Sequence, residues 1–259
     1  MREEEVDRYL EVLGVARPTT TGLDALSELQ FAHMVGVPFE NLDIVFAGGV
    51  AHDPDASLSK ILAGRGGWCF ELNGSFARLL RALGWQVRLL GAAVLLGGPA
   101  RVLDHLALEV SGGDLGHDAR LVDVGFGEGF TAPIDLNTSH AQPDRAGEFR
   151  LIGSPEGTTL TRDDDGVPAA QYRFKRVAHD FDDFTPVAAS LQTDTDRFWS
   201  TKPFATRLLG DGDDRVTLTH DTLKVRRGGE TDEHPVDRDG WDDALDAWFS
   251  MRRPGPWPH

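Results

Sequence analysis

Apolar residues recur at helical spacing through the first third of the chain. The spacing predicts four helices, with apolar stripes at residues 6–13, 23–34, 58–62 and 72–83. Gly14 and Gly84 follow the first and the last stripe, where a glycine commonly ends a helix. Ser57 can cap the third helix, and Pro38 predicts an extended segment over residues 38–43.

Beyond Gly84 the pattern changes to short apolar runs that glycine, proline and aspartate separate. These runs predict strands at residues 86–96, 105–110, 120–126, 172–178 and 216–227. The Asp-Gly-Asp-Asp stretch at 211–214 suits a hairpin turn. A last helix is predicted around 241–249, where four large apolar side chains share one face: Trp241, Leu245, Trp248 and Phe249. Because helices precede strands without regular alternation, we predict an α+β fold with a mostly antiparallel sheet.

The composition fits a folded domain and narrows its partners. Of 259 residues, 40% are hydrophobic and 26% are charged, which suffices for a packed core. Acidic residues outnumber basic ones by 42 to 26, and the net charge of −16 repels phosphate backbones and anionic lipids. We therefore expect no binding to nucleic acids or membranes. The acidic start, MREEEVDRYL, is unlike a signal peptide, so we expect a cytoplasmic protein.

Cys69 is the only cysteine of the chain. A single cysteine excludes an intrachain disulfide and any multi-cysteine zinc or iron–sulfur site. It follows a glycine-rich loop and opens the last predicted helix of this region, whose N-terminal N–H groups carry a partial positive charge. That charge favours the thiolate, which is the nucleophilic form of cysteine. A lone cysteine is also commonly a small buried side chain, and a nucleophile needs a base.

His105 and Asp123 are the candidate base and the group that orients it. His105 begins the strand pattern HLALEV, whereas the other histidines lie in helical, polar or tail contexts. Asp123 lies among Leu121, Val122 and Val124, where burial of an unpaired carboxylate would be costly. If the two strands are neighbours, the carboxylate can accept the Nδ1–H of His105 and favour the imidazolium. Each residue alone fits a structural role, but their combination with Cys69 predicts thiol nucleophilic catalysis.

Other motifs give weaker signals. GFGEGF (125–130) follows a strand, but its spacing differs from that of a dinucleotide-binding motif, so we predict a backbone-lined rim for a ligand. The DDDG stretch at 163–166 lacks the remaining ligands of a calcium loop and predicts a solvated turn. Three aromatic residues flank the candidate site, and together they predict an apolar pocket: Phe39, Phe126 and Phe130.

Four segments together resemble the arylamine N-acetyltransferase family. RGGWCFELNG (65–74) is similar to the family's RGG-x-C-x-E-x-N signature, and PFENLD (38–43) is similar to its N-terminal signature. DHLALEV (104–110) and LVDVGFGEGF (121–130) are similar to its histidine and aspartate segments. The four segments occur in the family's order.

The resemblance implies a fold in three parts. They would be an N-terminal helical domain that carries the nucleophile (1–85), a β-barrel-like domain that carries the histidine and the aspartate (86–190), and a C-terminal α/β lid (191–259). The implied activity is a ping-pong transfer of an acetyl group from acetyl-CoA, through Cys69, to an arylamine, hydrazine or arylhydroxylamine. His105 and Asp123 would complete the catalytic triad.

The resemblance also assigns the ligand contacts. Phe39, Phe126 and Phe130 would line the acceptor pocket, and Gly127 and Gly129 would approach the CoA. Acetyl-CoA would be a substrate, with no metal and no bound prosthetic group. The partners would be small molecules, and a homodimer is one assembly that the family would allow.

Three alternatives stay open at this point. A transglutaminase-like thiol hydrolase uses the same chemistry at comparable spacing, whereas a papain-like enzyme has its histidine much further downstream. Some bacterial members of the family are amide synthases that close macrolactams. A binding module without activity is disfavoured by the intact Cys69, His105 and Asp123. PFENLD and RGGWCFELN favour the acetyltransferase over the hydrolases.

Overall fold

The computed structural model describes residues 1–96, 101–164, 166–210 and 212–258. Its helices are α1 (Glu3–Leu13), α2 (Leu23–Gly36), α3 (Leu42–Phe46), α4 (Pro54–Leu62), α5 (Cys69–Leu83), α6 (Thr185–Thr193), α7 (Phe198–Thr201) and α8 (Arg238–Phe249). Its strands are β1 (Phe39–Glu40), β2 (Gln86–Val94), β3 (His105–Ser111), β4 (Arg120–Val122), β5 (Ile134–Asp135), β6 (Gln142–Asp144), β7 (Gly147–Ser154), β8 (Gly157–Asp164), β9 (Val167–His179), β10 (Ala205–Leu208), β11 (Arg215–Leu218), β12 (Thr222–Arg227) and β13 (Glu230–Pro235).

The helical start of the chain follows the apolar pattern. α1 ends at Gly14 and α5 ends at Gly84, where the positive φ angles of 69° and 110° suit glycine. The predicted cap of α4 is wrong: the side chain of Asp53, rather than Ser57, accepts the N–H groups of the first turn. The extended segment at 38–43 is also shorter than predicted, because residues 42–46 form α3.

Eight strands form an antiparallel sheet in the order β5-β4-β3-β2-β9-β8-β7-β6. Its two edges are joined by a side chain instead of a backbone ladder. The amide of Gln142 in β6 accepts the Asp135 N–H at 2.7 Å and donates to the Asp135 carbonyl at 3.0 Å in β5. The sheet therefore curls into a nearly closed barrel. The α+β class and the antiparallel sheet are confirmed, although β5, β6, β7 and β8 were not predicted.

A second antiparallel sheet has the order β1-β10-β11-β12-β13, and Trp241, Leu245 and Phe249 of α8 are buried with it. The predicted strand at 216–227 is two strands, β11 and β12, that pair with each other. The predicted turn at 211–214 joins β10 to β11, and its residue 211 lies outside the described residues. Residue 165 of the DDDG stretch, which was predicted to form a solvated turn, also lies outside the described residues.

One strand of the second sheet comes from the N-terminal region. Phe39 pairs with Thr206 and Glu40 pairs with Ala205, so β1 ties residues 38–43 to the C-terminal strands. The domain boundaries at residues 85 and 190 stay a prediction.

The helix α5 lies in the main hydrophobic core. Its apolar stripe, Leu72, Phe76, Leu79 and Leu80, is fully buried, and the helix packs against β2 and β3. This packing fixes the position of Cys69 relative to the strand that begins with His105. Within the part of the chain that the structure describes, no helix has the length and hydropathy needed to cross a membrane.

Candidate active site

Cys69 begins α5, and its surroundings allow a very close approach of another chain segment. The carboxylate of Glu71 accepts the N–H of Trp68 at 3.2 Å and so caps the start of the helix. The backbone of Cys69 faces Gly125, where an added Cβ would lie 2.8 Å from the Cys69 Cα. Gly125 is therefore required for packing, because only a glycine lets the segment after Asp123 reach the helix.

The structure brings His105 and Asp123 together in the way that the strand pattern predicts. β3 and β4 are antiparallel neighbours, with Leu108 opposite Val122. The His105 Nε2 atom lies 2.7 Å from Asp123 Oδ2, and both residues are 2% exposed. The predicted ring nitrogen is wrong, because the carboxylate pairs with Nε2 and not with Nδ1. Nδ1 therefore stays available for another partner.

The charge of His105 follows from its two neighbours. Burial alone would lower the pKa of this imidazole. Asp123 and Cys69 oppose this effect, because each of them interacts with the ring by charge and by a hydrogen bond. Together they outweigh burial and raise the pKa of His105 to about 10. At neutral pH the ring is an imidazolium, which places a positive charge beside Cys69.

Asp123 is held by donors other than His105. Its Oδ1 accepts the Asn73 Nδ2–H at 2.8 Å and the Gly125 N–H at 2.9 Å. Asn73 was not predicted as a site residue. Its position in RGGWCFELNG, one helical turn after Cys69, is the signal that could have identified it, because residues four apart share one helix face.

Two aromatic rings enclose the imidazole. Phe126 lies edge-on at 5.2 Å from the His105 ring, and Tyr172 lies at 5.1 Å, both measured between ring centroids. Tyr172 is fully buried, and burial together with the negative charge of Asp123 raises the pKa of its phenol well above the usual range. Tyr172 therefore stays protonated, and the rings exclude water from the His105–Asp123 pair.

A cavity of about 380 Å³ is lined by residues next in sequence or in space to this site. Phe39, which bridges to Gly67 just before α5, lines it, and so does Asp104, which directly precedes His105. The lining residues combine aromatic, aliphatic and charged side chains: Phe39, Val94, Leu96, Asp104, Leu191, Asp196, Arg197, Phe198, Trp199 and Phe204.

The predicted aromatic residues occupy three different places. Phe39 is in the cavity wall and packs against Trp199, with 5.0 Å between the ring centroids. Phe126 packs on His105, and Phe130 lies in the barrel core, 1% exposed, against Phe149. Their contact with an acceptor stays a prediction. The sequence did not identify three further aromatic residues of the wall: Phe198, Trp199 and Phe204.

The loop after Asp123 depends on its glycines for packing. Gly127 has a φ of 83°, and an added Cβ would lie 3.1 Å from the Phe39 ring. At Gly129 the added atom would lie 3.4 Å from Phe126. The positive φ and the close Phe39 ring account for Gly127 without a ligand, whereas the distance at Gly129 is an ordinary van der Waals contact. The predicted approach of the loop to CoA stays a prediction.

A buried cluster of ion pairs stabilises the start of α5. Lys60 Nζ lies 3.3 Å from Glu40, 2.6 Å from Asp43 and 3.2 Å from Glu71, and Arg65 lies 3.2 Å from both Glu40 and Asp43. Burial raises the pKa of Glu71 to about 7 despite the attraction of Lys60. The cluster joins the PFENLD segment to α5.

The barrel, the capped cysteine and the buried His105–Asp123 pair define a class of α+β proteins with a Cys-His-Asp site. A family model described as N-acetyltransferase matches residues 22–252. The chain belongs to the arylamine N-acetyltransferase family, which confirms the resemblance drawn from the four sequence segments.

Relatives and solved structures agree with this assignment. A Salmonella typhimurium protein named arylamine N-acetyltransferase / N-hydroxyarylamine O-acetyltransferase is 42% identical over 155 residues. That match covers 58% of this chain and 52% of the relative, about half of its length. The solved structure of the Salmonella typhimurium arylamine N-acetyltransferase has a TM-score of 0.89 at 27% identity and covers 97% of this chain and 92% of its own.

A second solved structure contains a ligand. The Mycobacterium marinum arylamine N-acetyltransferase in complex with CoA has a TM-score of 0.86 at 27% identity, over 95% of this chain and 92% of its own. Both structural matches extend through the barrel and the C-terminal sheet, so they confirm the predicted fold.

Proposed function

We propose that this protein transfers the acetyl group of acetyl-CoA to arylamines, arylhydrazines or arylhydroxylamines by a ping-pong mechanism through acetyl-Cys69. The observation that carries the proposal is the buried 2.7 Å contact between His105 and Asp123, next to a cysteine at a helix start. The family assignment and the CoA complex of the Mycobacterium marinum relative support acetyl-CoA as the donor.

In the first half-reaction the Cys69 thiolate attacks the thioester carbonyl carbon of acetyl-CoA. The carbonyl oxygen becomes an oxyanion, and the N–H groups at the start of α5 are the nearest stabilising dipole. The C–S bond to CoA then breaks, acetyl stays on Cys69, and the His105 imidazolium can give its proton to the departing CoA sulfur. His105 ends this step as a neutral imidazole.

In the second half-reaction an amine attacks the acetyl-cysteine carbonyl. Neutral His105 accepts the proton that the amine loses, the C–S bond to Cys69 breaks, and the thiolate–imidazolium pair is restored. Asp123 orients the ring and stabilises its positive charge throughout. The aromatic cavity favours an aryl acceptor over water, because it binds and orients the ring beside the thioester.

Intact-mass analysis tests the proposed intermediate. Incubation with acetyl-CoA in the absence of an acceptor should add one acetyl group to the wild type and none to Cys69→Ala. Ser75→Ala is a matched control on the same helix, because the Ser75 hydroxyl is buried with no hydrogen-bond partner among the described residues. It should acquire the acetyl group normally.

The same experiment separates the alternatives. Acetylation of Cys69→Ala would contradict Cys69 as the nucleophile, and absence of the adduct on the wild type would contradict acetyl-CoA as the donor. Malonyl-CoA and a carrier-bound acyl chain serve as comparison donors. An acetyl-enzyme that loses its acetyl group to water as fast as to an added arylamine would indicate a hydrolase instead.

A further inference from the structure

We propose that Asp104 makes the acceptor cavity selective for arylamines that carry a second, positively charged group. This inference rests on the proposed acetyl transfer and names a substrate class for it. The lining of the cavity contains two carboxylates, Asp104 and Asp196, against one guanidinium, Arg197. An excess of negative charge beside an apolar wall favours a cationic aromatic ligand over a neutral or an anionic one.

Asp104 is a buried carboxylate whose bonds leave room for a ligand. It is 7% exposed, and its oxygens accept the Val94 N–H at 2.8 Å and the Arg101 N–H at 3.3 Å. Each oxygen thus receives one backbone donor, and a carboxylate can accept about four. The backbone bonds also fix the direction of the side chain, so a ligand would meet a carboxylate that is already oriented.

Two arginines of this region, Arg101 and Arg197, form ion pairs with Asp194. Arg101 lies 2.6 Å from Asp194 Oδ2, and the Arg197 Nε lies 3.4 Å from the same atom. Within the described residues, no ion pair joins Asp104 to a lysine, arginine or histidine. Among the described residues, a ligand cation would therefore meet a carboxylate that is hydrogen-bonded to two backbone N–H groups.

Longer-range charges act on the same carboxylate. Burial raises the pKa of Asp104, and its two backbone donors, His105 and Arg197 oppose that rise. Burial is the largest of these contributions, so the pKa of Asp104 stays above its ordinary value.

The aromatic wall adds a second attraction for cations. The ring centroids of Phe39 and Trp199 lie 5.0 Å apart, and the ring centroid of Phe204 lies 6.2 Å from that of Phe39. Aromatic faces attract quaternary ammonium groups. Lys202 already lies 5.9 Å from the Phe198 ring centroid at one side of the wall.

Three acceptors that differ in charge test the proposal. They are 4-(2-trimethylammonioethyl)aniline, its neutral isostere 4-(3,3-dimethylbutyl)aniline, and the anionic 4-aminophenylacetate. kcat/KM is measured for each with acetyl-CoA as the donor. The wild type should prefer the cation to the neutral isostere by about tenfold or more, since charge pairs in partly desolvated sites contribute at least that factor. The anion should be the poorest acceptor.

The variant Asp104→Asn should reduce the ratio of cation to isostere by about tenfold, with the difference mainly in KM. Asp118→Asn is the control, because it removes the same charge at an exposed turn and should leave the ratio unchanged. A ratio near one in the wild type, or a ratio that Asp104→Asn leaves unchanged, would overturn the proposal. If the variant does not fold, the ratio of kcat/KM for the cation to that for the isostere in the wild type alone tests the proposal. Failure to acetylate any of the three acceptors would instead contradict the proposed function, and the selectivity with it.

Discussion

The Nδ2 atom of Asn73 lies 2.8 Å from Oδ1 of Asp123, so the helix that begins with Cys69 also holds the carboxylate that pairs with His105. The same amide donates to the Leu106 carbonyl at 2.6 Å and accepts the Val124 N–H at 2.9 Å. One buried side chain therefore sets the distance between the helix, the strand β3 and the aspartate segment.

Substitution of Asn73 by alanine should damage stability and rate together. The change leaves a buried carbonyl, a buried N–H and one carboxylate oxygen short of a partner, which predicts a loss of about 2–4 kcal/mol in the free energy of unfolding. The acetylation of Cys69 should slow by more than about tenfold, because Asp123 loses its alignment. Urea unfolding and single-turnover acetylation measure the two effects.

Asn137→Ala is the control for this experiment, since Asn137 is exposed and its substitution should change stability by less than about 0.5 kcal/mol. An Asn73→Ala protein that retains both its stability and its rate would show that the amide has no positioning role.

The pairing of His105 with Asp123 should make stability depend on pH. Since the pKa of His105 is about 10 in the folded protein and 6.5 as the ordinary value, the folded state holds this proton more tightly. The contribution of His105 to the free energy of unfolding is complete below pH 6.5 and is lost as the pH rises through 10. The free energy falls by up to about 1.4 kcal/mol per pH unit in this range. Asp123→Asn removes the main cause of the shift.

The free energy of unfolding of wild type and Asp123→Asn, measured in urea at pH 6.5, 8 and 9.5, checks this linkage. The gap between the two proteins should narrow steadily as the pH rises, and acetyl transfer by the variant should fall by about a thousandfold. Asp118→Asn should follow the wild type. A gap that stays constant with pH would contradict the raised pKa of His105.

The sequence predicted the parts of the site that local patterns encode. Cys69 at a helix start, His105 at the head of a strand and Asp123 among apolar residues can each be recognised from neighbouring residues. Asp123, however, lies just past β4 instead of within a strand, and the ring nitrogen that faces it depends on the relative placement of two strands. Local patterns do not determine that placement.

The parts that were missed depend on contacts between distant segments. The aromatic residues 198–204 reach the cavity because Asn41 holds their backbone, more than 150 positions away in the chain. The strands β7 and β8 were missed because one side of their hairpin is exposed and polar, so that their apolar residues, such as Phe149 and Leu160, are too few to stand out. Pairing within the barrel stabilises them nonetheless.

Asn41 should therefore influence acceptor binding without touching the acceptor. Its Nδ2 donates to the carbonyls of Trp199 and Lys202 at 2.6 and 2.8 Å, and its Oδ1 accepts the Phe204 N–H at 2.8 Å. Asn41→Ala releases this segment, so the KM for an arylamine should rise by about tenfold, which corresponds to the loss of about 1.4 kcal/mol in positioning. Steady-state kinetics with varied arylamine measure it.

A comparison with the donor substrate shows where this effect arises. The KM for acetyl-CoA should change less than the KM for the arylamine, and a Phe204→Leu variant should show the same asymmetry. Equal changes for the two substrates in Asn41→Ala would indicate a general loss of structure instead of a loosened cavity wall.

Lys60 should be the most sensitive member of the ion-pair cluster. It contacts Glu40, Asp43 and Glu71, and its side chain is 14% exposed. Lys60→Met leaves Glu40 and Asp43 with Arg65 as their neighbouring cation and removes the cation that contacts Glu71, which predicts a loss of about 3–5 kcal/mol at pH 8. The pKa of Glu71 is about 7, above its ordinary value of 4.5, so the stability contributed by this group is present at low pH and lost as the pH rises from 4.5 through 7.

Without Lys60 the pKa of Glu71 should rise further, because the attraction that lowers it is gone. The variant should therefore be much closer to the wild type at pH 5, where Glu71 is protonated, than at pH 8. Urea unfolding at the two pH values measures this difference, and the exposed Lys175→Met serves as the control for loss of one positive charge. An equal loss at both pH values would place the effect of Lys60 in its packing and not in its charge.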